Sequence, residues 1–357
     1  MSQSIRANPQ IAAVDLFCGV GGLTHGMIKA GVPVVAGIDL DPACRYPFEA
    51  NNKARFIHGD VVEFSSRDLV AVYPPNVARV LVGCAPCQRF SRYARGRKQT
   101  TDQKWGLLKH FSRLVQDVRP TVVSMENVPE LTRHAVFRSF CRSLESSGYH
   151  VAFSNVFCPD YGIPQLRTRL VLFASLRGEV KPPPPTHRPN QYRTVKQAIA
   201  GLPRLAPGEI DSKDDLHRAS KLSALNLERM RASRAGGSWR DWPSRLIAEC
   251  HHAESGKSYP SVYGRMEWDQ PAPTITTQFF GYGNGRFGHP EQDRAISLRE
   301  GSLLQTFPRS YRFCSKSDIV SFSTLGRLIG NAVPVRLGEV IGETILKHLG
   351  ANHGQEV

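Results

Sequence analysis

Across roughly the first half of the chain, short apolar runs alternate with stretches in which apolar residues recur every three or four positions. The runs Ile11–Phe17, Pro33–Asp39, Arg55–Gly59, Val77–Val82, Thr121–Met125, Val151–Phe157 and Arg169–Ala174 predict strands. The helical spacing of Leu23–Ala30, Pro42–Asn51, Leu107–Val118 and Val136–Ser146 predicts helices between them. Strand–helix alternation of this kind implies an α/β fold with a doubly wound, mostly parallel sheet. The pattern then breaks. Lys181–Pro189 (KPPPPTHRP) continues neither a helix nor a central strand and reads as a stiff linker. From there to about residue 290 the chain is rich in Gly, Pro, Arg and Trp with weak periodicity, which predicts a smaller irregular domain. Regular spacing returns at Ile319–Leu328 and Val335–Leu349. The expected division is therefore 1–175, 176–313 and a C-terminal segment 314–357.

Composition narrows the class. A chain of 357 residues, 41% hydrophobic and 22% charged, carries one sizeable core and a second domain. No run approaches eighteen apolar residues, so no membrane span is expected, and MSQSIRANPQ lacks the apolar core of a signal peptide. Those features predict a cytoplasmic protein whose eight cysteines are reduced. Lys plus Arg exceed Asp plus Glu by 46 − 31 = 15, an excess that favours a polyanionic partner such as nucleic acid. A basic surface without function is the bland alternative.

Candidate chemistry lies at the strand ends. The first strand runs into Phe17-Cys18-Gly19-Val20-Gly21-Gly22 and then a helix, so a ligand can approach bare backbone at a helix N-terminus. Thr24 stands where the dinucleotide pattern G-x-G-x-x-G needs its last glycine. The second strand ends in Asp39, placed to bind ribose hydroxyls, and the third leads to Asp60, placed to accept from an adenine amino group. Singly, each is more often a cap or turn residue. In series they describe a nucleoside site without a pyrophosphate requirement.

The fourth strand opens onto GCAPCQRFS, residues 83–91. Cys84-x-x-Cys87 admits a redox pair, half a zinc site, or one reactive thiol beside a packed neighbour. A redox pair normally opens a helix, whereas Gln88, Arg89, Arg95 and Arg97 make the following loop polar and basic. No second close cysteine pair exists for zinc, and Cys250-His251-His252 is the only partner cluster, so no metal is expected. A nucleophilic thiolate remains, favoured as the anion by the basic loop. Cys87, after Pro86, is the choice.

In that order, DLFCGVGGL, GCAPCQRFS, MENVPEL, YGIPQLRTR and IGNAVP resemble the motifs of the DNA (cytosine-5)-methyltransferase family, from Asp15 to about Pro334. The resemblance is to the bacterial type with a single target recognition domain. It implies a Rossmann-like methyltransferase domain, S-adenosylmethionine as cofactor, and methyl transfer to C5 of a flipped cytosine in duplex DNA. By the same resemblance Cys87 attacks cytosine C6, and Glu126 holds N3 and the amino group. Arg167 and Arg169 match the family's arginine pair, with Arg169 at the cytosine O2. Phe17, Gly19, Gly21 and Gly22 fall on the cofactor loop. Asp39 and Leu40 (where relatives place an aromatic ring) fall on the ribose and adenine contacts, as do Asp60 and Val61. Asn331 and Val333 match the motif that folds back onto the cofactor, which implies that the C-terminal helix returns to the first domain. Arg89 stands where relatives carry a small residue, so the loop of Gln88, Arg89, Arg95 and Arg97 could close differently on DNA.

Residues 176–313 occupy the place of the target recognition domain. GRMEWDQPAPTITT, with Thr274-Ile275, resembles its closing element, and RAISLREGSLLQTFP resembles the structural motif that follows. Arg234–Asp241 and Gln278–His289 are the candidate base-reading loops, with Arg240 or Arg286 placed to take guanine O6 and N7. Their aromatic residues could equally hold the domain together. The expected partner is double-stranded DNA bound by a monomer associated with the nucleoid, with a cognate restriction endonuclease acting separately as a further possibility. An RNA-directed relative and a catalytically silent DNA-binding member are the alternatives.

Overall fold

The structure, a computed structural model, describes residues 10–86, 102–253, 259–315 and 317–350. In chain order its strands are β1 (Ile11–Leu16), β2 (Val34–Asp39), β3 (Arg55–His58), β4 (Ala78–Gly83), β5 (Val122–Asn127), β6 (His150–Phe157), β7 (Gln165–Leu166), β8 (Thr168–Ser175) and β9 (Ala272–Pro273). All but β7 and β9 form one sheet, ordered β3-β2-β1-β4-β5-β8-β6. Each expected strand is present to within two residues at either end. β1 to β5 pair in parallel, whereas β8 is antiparallel to both β5 and β6. Ten residues, 158–167, separate β6 from β8, too few for the crossover that a parallel pair requires.

Two compact units emerge. The first holds the chain up to residue 157, residues 168–185 and everything from 333 onward; the second holds 158–167 and 186–332. These boundaries differ from the expected 175/176 and 313/314. The polyproline run stays with the first unit to Pro185. The segment up to residue 332 stays with the second because the helix Phe322–Asn331 packs backbone to backbone there: a Cβ on Gly330 would lie 2.4 Å from the Thr276 carbonyl oxygen.

In the first unit α1 (Gly22–Ala30), α2 (Arg45–Asn51), α3 (Ser66–Val72), α4 (Asp102–Val118) and α5 (Ala135–Ser146) flank the sheet. Leu16, Leu81, Phe111, Leu114, Val123, Met125 and Leu170 belong to its buried core. The sequence pattern shows no α3, since Leu69 is its one buried residue; Ser65 starts it by accepting from the Asp68 amide at 3.0 Å. In the second unit the helices are α6 (Val195–Ile199), α7 (Ala224–Ala232), α8 (Leu298–Leu304) and α9 (Phe322–Asn331). The last helix, α10 (Val335–Leu349), rejoins the first unit against α1, as the resemblance implies. Three glycines allow that contact. A Cβ on Gly26 would sit 2.1 Å from the Val335 carbonyl oxygen, one on Gly338 would sit 2.7 Å from that of Leu23, and one on Gly342 would meet the Ala30 methyl at 2.8 Å.

The second unit has little regular structure and is held by buried arginines. Arg265 donates to the carbonyls of Met230, His289 and Gln292 and pairs with Asp293. Arg294 grips Glu300 through two bonds of 2.7 and 2.8 Å. Burial pushes the Glu300 carboxyl up, but Arg294, with His289 and the Ser297 amide, outweighs it and holds the group down to about 2. Burial lowers His289 to about 4, so it stays neutral beside them. Part of the basic excess therefore serves this interior.

Candidate active site

At the end of β1 the backbone turns through left-handed residues, Phe17 (φ 58°), Gly19 (φ 52°) and Gly21 (φ 85°), before α1 begins. A positive φ on Phe17 is costly for a ring-bearing residue, and such strain collects at ligand sites. The carboxylate of Asp39, at the end of β2, accepts the Gly19 amide at 2.8 Å and the Asp41 amide at 2.9 Å. Asp39 thus sets the glycine turn. A Cβ built on Gly19 meets nothing within 4 Å, and Leu40 is 61% exposed beside it. Asp60 spends Oδ1 on the Val62 amide at 2.9 Å, while Val61 is buried with its carbonyl held by Arg113. Open backbone, a carboxylate and an exposed apolar residue at adjacent strand ends fit the nucleoside half of S-adenosylmethionine. Asn331 lies exposed at the end of α9 in the second unit, and Val333 lies buried where the chain re-enters the first.

Beneath this loop lies a group that the sequence reading gave no role. Asp15 is 1% exposed and accepts from the Thr24 hydroxyl at 2.7 Å, while its Oδ1 has no hydrogen-bond partner among the described residues. Burial, with a contribution from the Asp39 charge, raises its carboxyl to about 7.

A second cluster forms one strand pair away. Glu126, 2% exposed near the end of β5, forms an ion pair with Arg169 Nε, 2.9 Å from Oε1, and accepts the Cys84 thiol on Oε2 at 2.8 Å. Arg169, from the neighbouring β8, also donates through Nη1 to the Thr168 carbonyl at 2.8 Å. Asn127 donates to the Ala85 carbonyl at 3.2 Å, tying the end of β5 to the chain just before Cys87. Neither the Asn127 tie nor the Cys84 bond was foreseen; adjacency to Glu126 and Cys87 in the motifs was the only signal available. Cys87, Gln88, Arg89, Arg95 and Arg97 lie outside the described residues.

The two arginines of QLRTR separate. Arg167 belongs to the second unit, where it is buried and donates to the Gln165 side chain (3.4 Å) and the carbonyls of Ile275 (3.4 Å) and Ala332 (3.5 Å). These bonds hold chain segments of the second unit together, and of the expected pair Arg169 is the one that meets Glu126. Buried Gln165 has a similar part: it accepts the Ile275 amide and donates to Leu304 and Gln305.

The aromatic residues of the expected base-reading loops are interior, whereas Arg234, Ala235, Arg240 and Asp241 are exposed. Trp239 is buried, stacks on His251 at 4.2 Å and donates to the Tyr259 carbonyl at 3.0 Å. Phe279, Tyr282 and Phe287 are buried, and Phe280 packs on Phe322. The alternative that these aromatics hold the domain together is thus what the packing shows. Arg240 is exposed, its guanidinium 5.6 Å from the Trp239 ring centre. Arg286 is half-buried, and its Nε is enclosed with no hydrogen-bond partner among the described residues. His251 stacking accounts for one member of the Cys250-His251-His252 cluster, and Cys250 is exposed.

A Rossmann-like sheet with a glycine turn after β1, an acid at the end of β2 and a buried Glu–Arg pair fits an α/β methyltransferase. Residues 11–347 match the C-5 cytosine-specific DNA methylase family, and the chain belongs to it. It is 57% identical to the type II methylase M.HgiDII of Herpetosiphon aurantiacus over 97% of this chain and 98% of that one. It is also 31% identical to the type II methyltransferase M1.HphI of Haemophilus parahaemolyticus, over 94% and 86%. Among solved structures, a chain encoded within a prophage of E. coli matches with a TM-score of 0.72 at 22% identity, covering 96% of this chain and all of that one. The protein is accordingly a DNA (cytosine-5)-methyltransferase, and its family and fold imply S-adenosylmethionine as methyl donor.

Proposed function

We propose that Cys87 is the nucleophile, that Glu126 and Arg169 activate the base, and that the Gly19–Gly22 turn, Asp39, Leu40, Asp60 and Val61 hold the cofactor. Glu126 with its two partners is the observation that carries this reading: a buried carboxylate already paired with a cation at the end of a strand beside the CAPC segment. Cytosine C5 is a poor nucleophile until the C5–C6 double bond is broken. The Cys87 thiolate adds at C6, and the displaced electron density moves toward N3. Glu126 delivers a proton there. Arg169, one guanidinium edge on Glu126, offers the rest of its donors to the developing charge at O2. S-adenosylmethionine, when bound, supplies an electrophilic methyl group to C5. Loss of the C5 proton then expels the thiolate and restores the ring. C6 is out of reach in a stacked duplex, so the target cytosine is flipped out, and Gln88 with the basic Arg89, Arg95 and Arg97 follows the strand in this reading. Val333 adds to the cofactor contacts, and Arg167 positions the segment before Arg169.

The type II relatives support a modification enzyme that protects one duplex sequence from a cognate restriction endonuclease acting separately. Such an enzyme works as a monomer on the nucleoid, with Arg240 and Arg286 as candidates for reading bases. Transfer of labelled methyl to duplex DNA and to tRNA, with bisulfite sequencing of the DNA product, tests substrate class and target together. Label in tRNA alone would overturn the DNA assignment. For the cofactor, calorimetry on Asp39→Ala should show binding weaker by roughly 1.5–3 kcal/mol, the scale of hydrogen bonds to a charged partner. Unchanged affinity would remove Asp39 from the ribose contact.

A further inference from the structure

We infer that Cys84 is a positioning residue for Glu126, one half of a two-sided clamp on the carboxylate that meets the base. The inference rests on the catalytic reading of Glu126 above and deepens it. A carboxylate has about four lone-pair sites, two on each oxygen. The Cys84 thiol takes one on Oε2 at 2.8 Å, while Arg169 Nε faces Oε1 at 2.9 Å as an ion pair without hydrogen-bond geometry. Rotation of the carboxylate about its own axis would break the thiol bond on Oε2 and carry Oε1 away from the guanidinium, so the two contacts together orient its plane. A cytosine presents two adjacent groups: N3, which takes the proton that Glu126 delivers from one oxygen, and the 4-amino group, which donates to the other, so the two oxygens must lie in the plane of the base. The clamp therefore prepares the geometry that the base requires before it arrives.

The backbone supports the same arrangement. Cys84 follows β4 directly, and its amide reaches the Leu16 carbonyl at 3.4 Å. A Cβ on Gly83 would come within 2.7 Å of that carbonyl oxygen, so β4 and β1 are drawn together where the thiol leaves the sheet. Asn127 anchors the next residue, Ala85, at 3.2 Å. Cys84 is thus held from both sides, with its thiol directed at a carboxylate 2% exposed to solvent. A reduced thiol is a weak donor, but it is small, and burial of the acceptor raises what one bond is worth.

The test compares Cys84→Ala, Cys84→Ser and Glu126→Gln in the full chain, with steady-state methylation of a cognate duplex. Removing the donor with Cys84→Ala should lower kcat roughly tenfold, the scale of one lost hydrogen bond to a charged partner, with little change in KM for DNA. Cys84→Ser keeps an O–H donor and should recover most of that loss, which a purely space-filling side chain would not explain. In the slow Glu126→Gln background, adding Cys84→Ala should cost nothing further. Wild-type kcat in Cys84→Ala, a Ser variant as slow as the Ala variant, or a further tenfold loss in the Glu126→Gln background would each overturn the clamp. Full activity in Glu126→Gln alone would instead overturn the role of Glu126, whatever the cysteine variants do.

Discussion

Residue by residue, the site separates into groups whose chemistry was visible in the chain and groups whose surroundings alone give them meaning. Asp39 stood out only in series with the glycine turn and Asp60, and the structure shows it accepting the Gly19 and Asp41 amides. Asp15 did not stand out, because a buried acid and a surface acid look alike in sequence. Its carboxyl is raised from 3.8 to about 7 by burial first and the Asp39 charge second. The native state therefore keeps a proton that the unfolded chain has lost between those two values. Stability from this group is whole below pH 3.8, drains away as pH rises, and is fully lost above about 7. The loss amounts to roughly 4 kcal/mol at most, by 1.36 kcal/mol per unit. Asp15→Asn keeps an acceptor for Thr24 and removes the ionisation, so urea melts should show it gaining on the wild type between pH 5 and pH 8. An equal difference at the two pH values would contradict the raised carboxyl. Arg167 and Arg169 teach a similar lesson: two residues apart in one motif, one is consumed by backbone carbonyls and the other reaches Glu126, and nothing in QLRTR distinguishes them.

Among the elements, apolar runs located every strand of the main sheet, the central ones because they are buried throughout and the edge strands β3 and β6 on fewer buried positions. The direction of β8 was hidden, since direction follows from the ten-residue connection to β6 rather than from composition. α3 was hidden because it offers one buried side chain. The contact of α1 with α10 was implied only by resemblance, and its cause is steric: Gly26, Gly338 and Gly342 bring two backbones together. Gly26→Ala would force a methyl to within 2.1 Å of the Val335 oxygen. The helices must separate, at a cost of about 1–3 kcal/mol, typical of overpacking. Thermal melts should record the loss, and Gly148→Ala, open within 4 Å but at φ 87°, serves as a strain-only comparison away from this contact. A Gly26→Ala variant as stable as wild type would show that α10 does not lie this close to α1.

For the whole molecule, an excess of fifteen positive charges fits a polyanionic substrate, but buried Arg265, Arg294 and Arg299 show that not every cation is available for it. The basic loop after Cys87 should supply phosphate contacts, which carry affinity and salt dependence, whereas base-edge contacts carry discrimination. Arg95→Ala and Arg97→Ala should weaken binding to all duplexes with a shallower salt slope. Arg240→Ala should lose about 1–3 kcal/mol of preference at one base pair if it reaches a guanine edge. Binding titrations against single-substitution duplexes at several salt concentrations separate the two, and an Arg240→Ala variant that behaves like the loop variants would remove it from base reading. The recognition domain was the least legible part of the chain, because its order comes from buried arginines and stacked aromatics rather than from periodic elements.

The central claim, covalent catalysis by Cys87 on cytosine in DNA, is tested most directly with a duplex carrying 5-fluorocytosine at the target position. Addition at C6 and methyl transfer can both proceed, but no proton remains at C5 for a base to remove, so the thioether bond should persist. Peptide mass spectrometry after incubation with S-adenosylmethionine should find the modified nucleotide on Cys87, with no adduct in Cys87→Ser. An adduct on Cys84, or turnover of ordinary duplex without any trapped complex on the fluorinated one, would contradict the account.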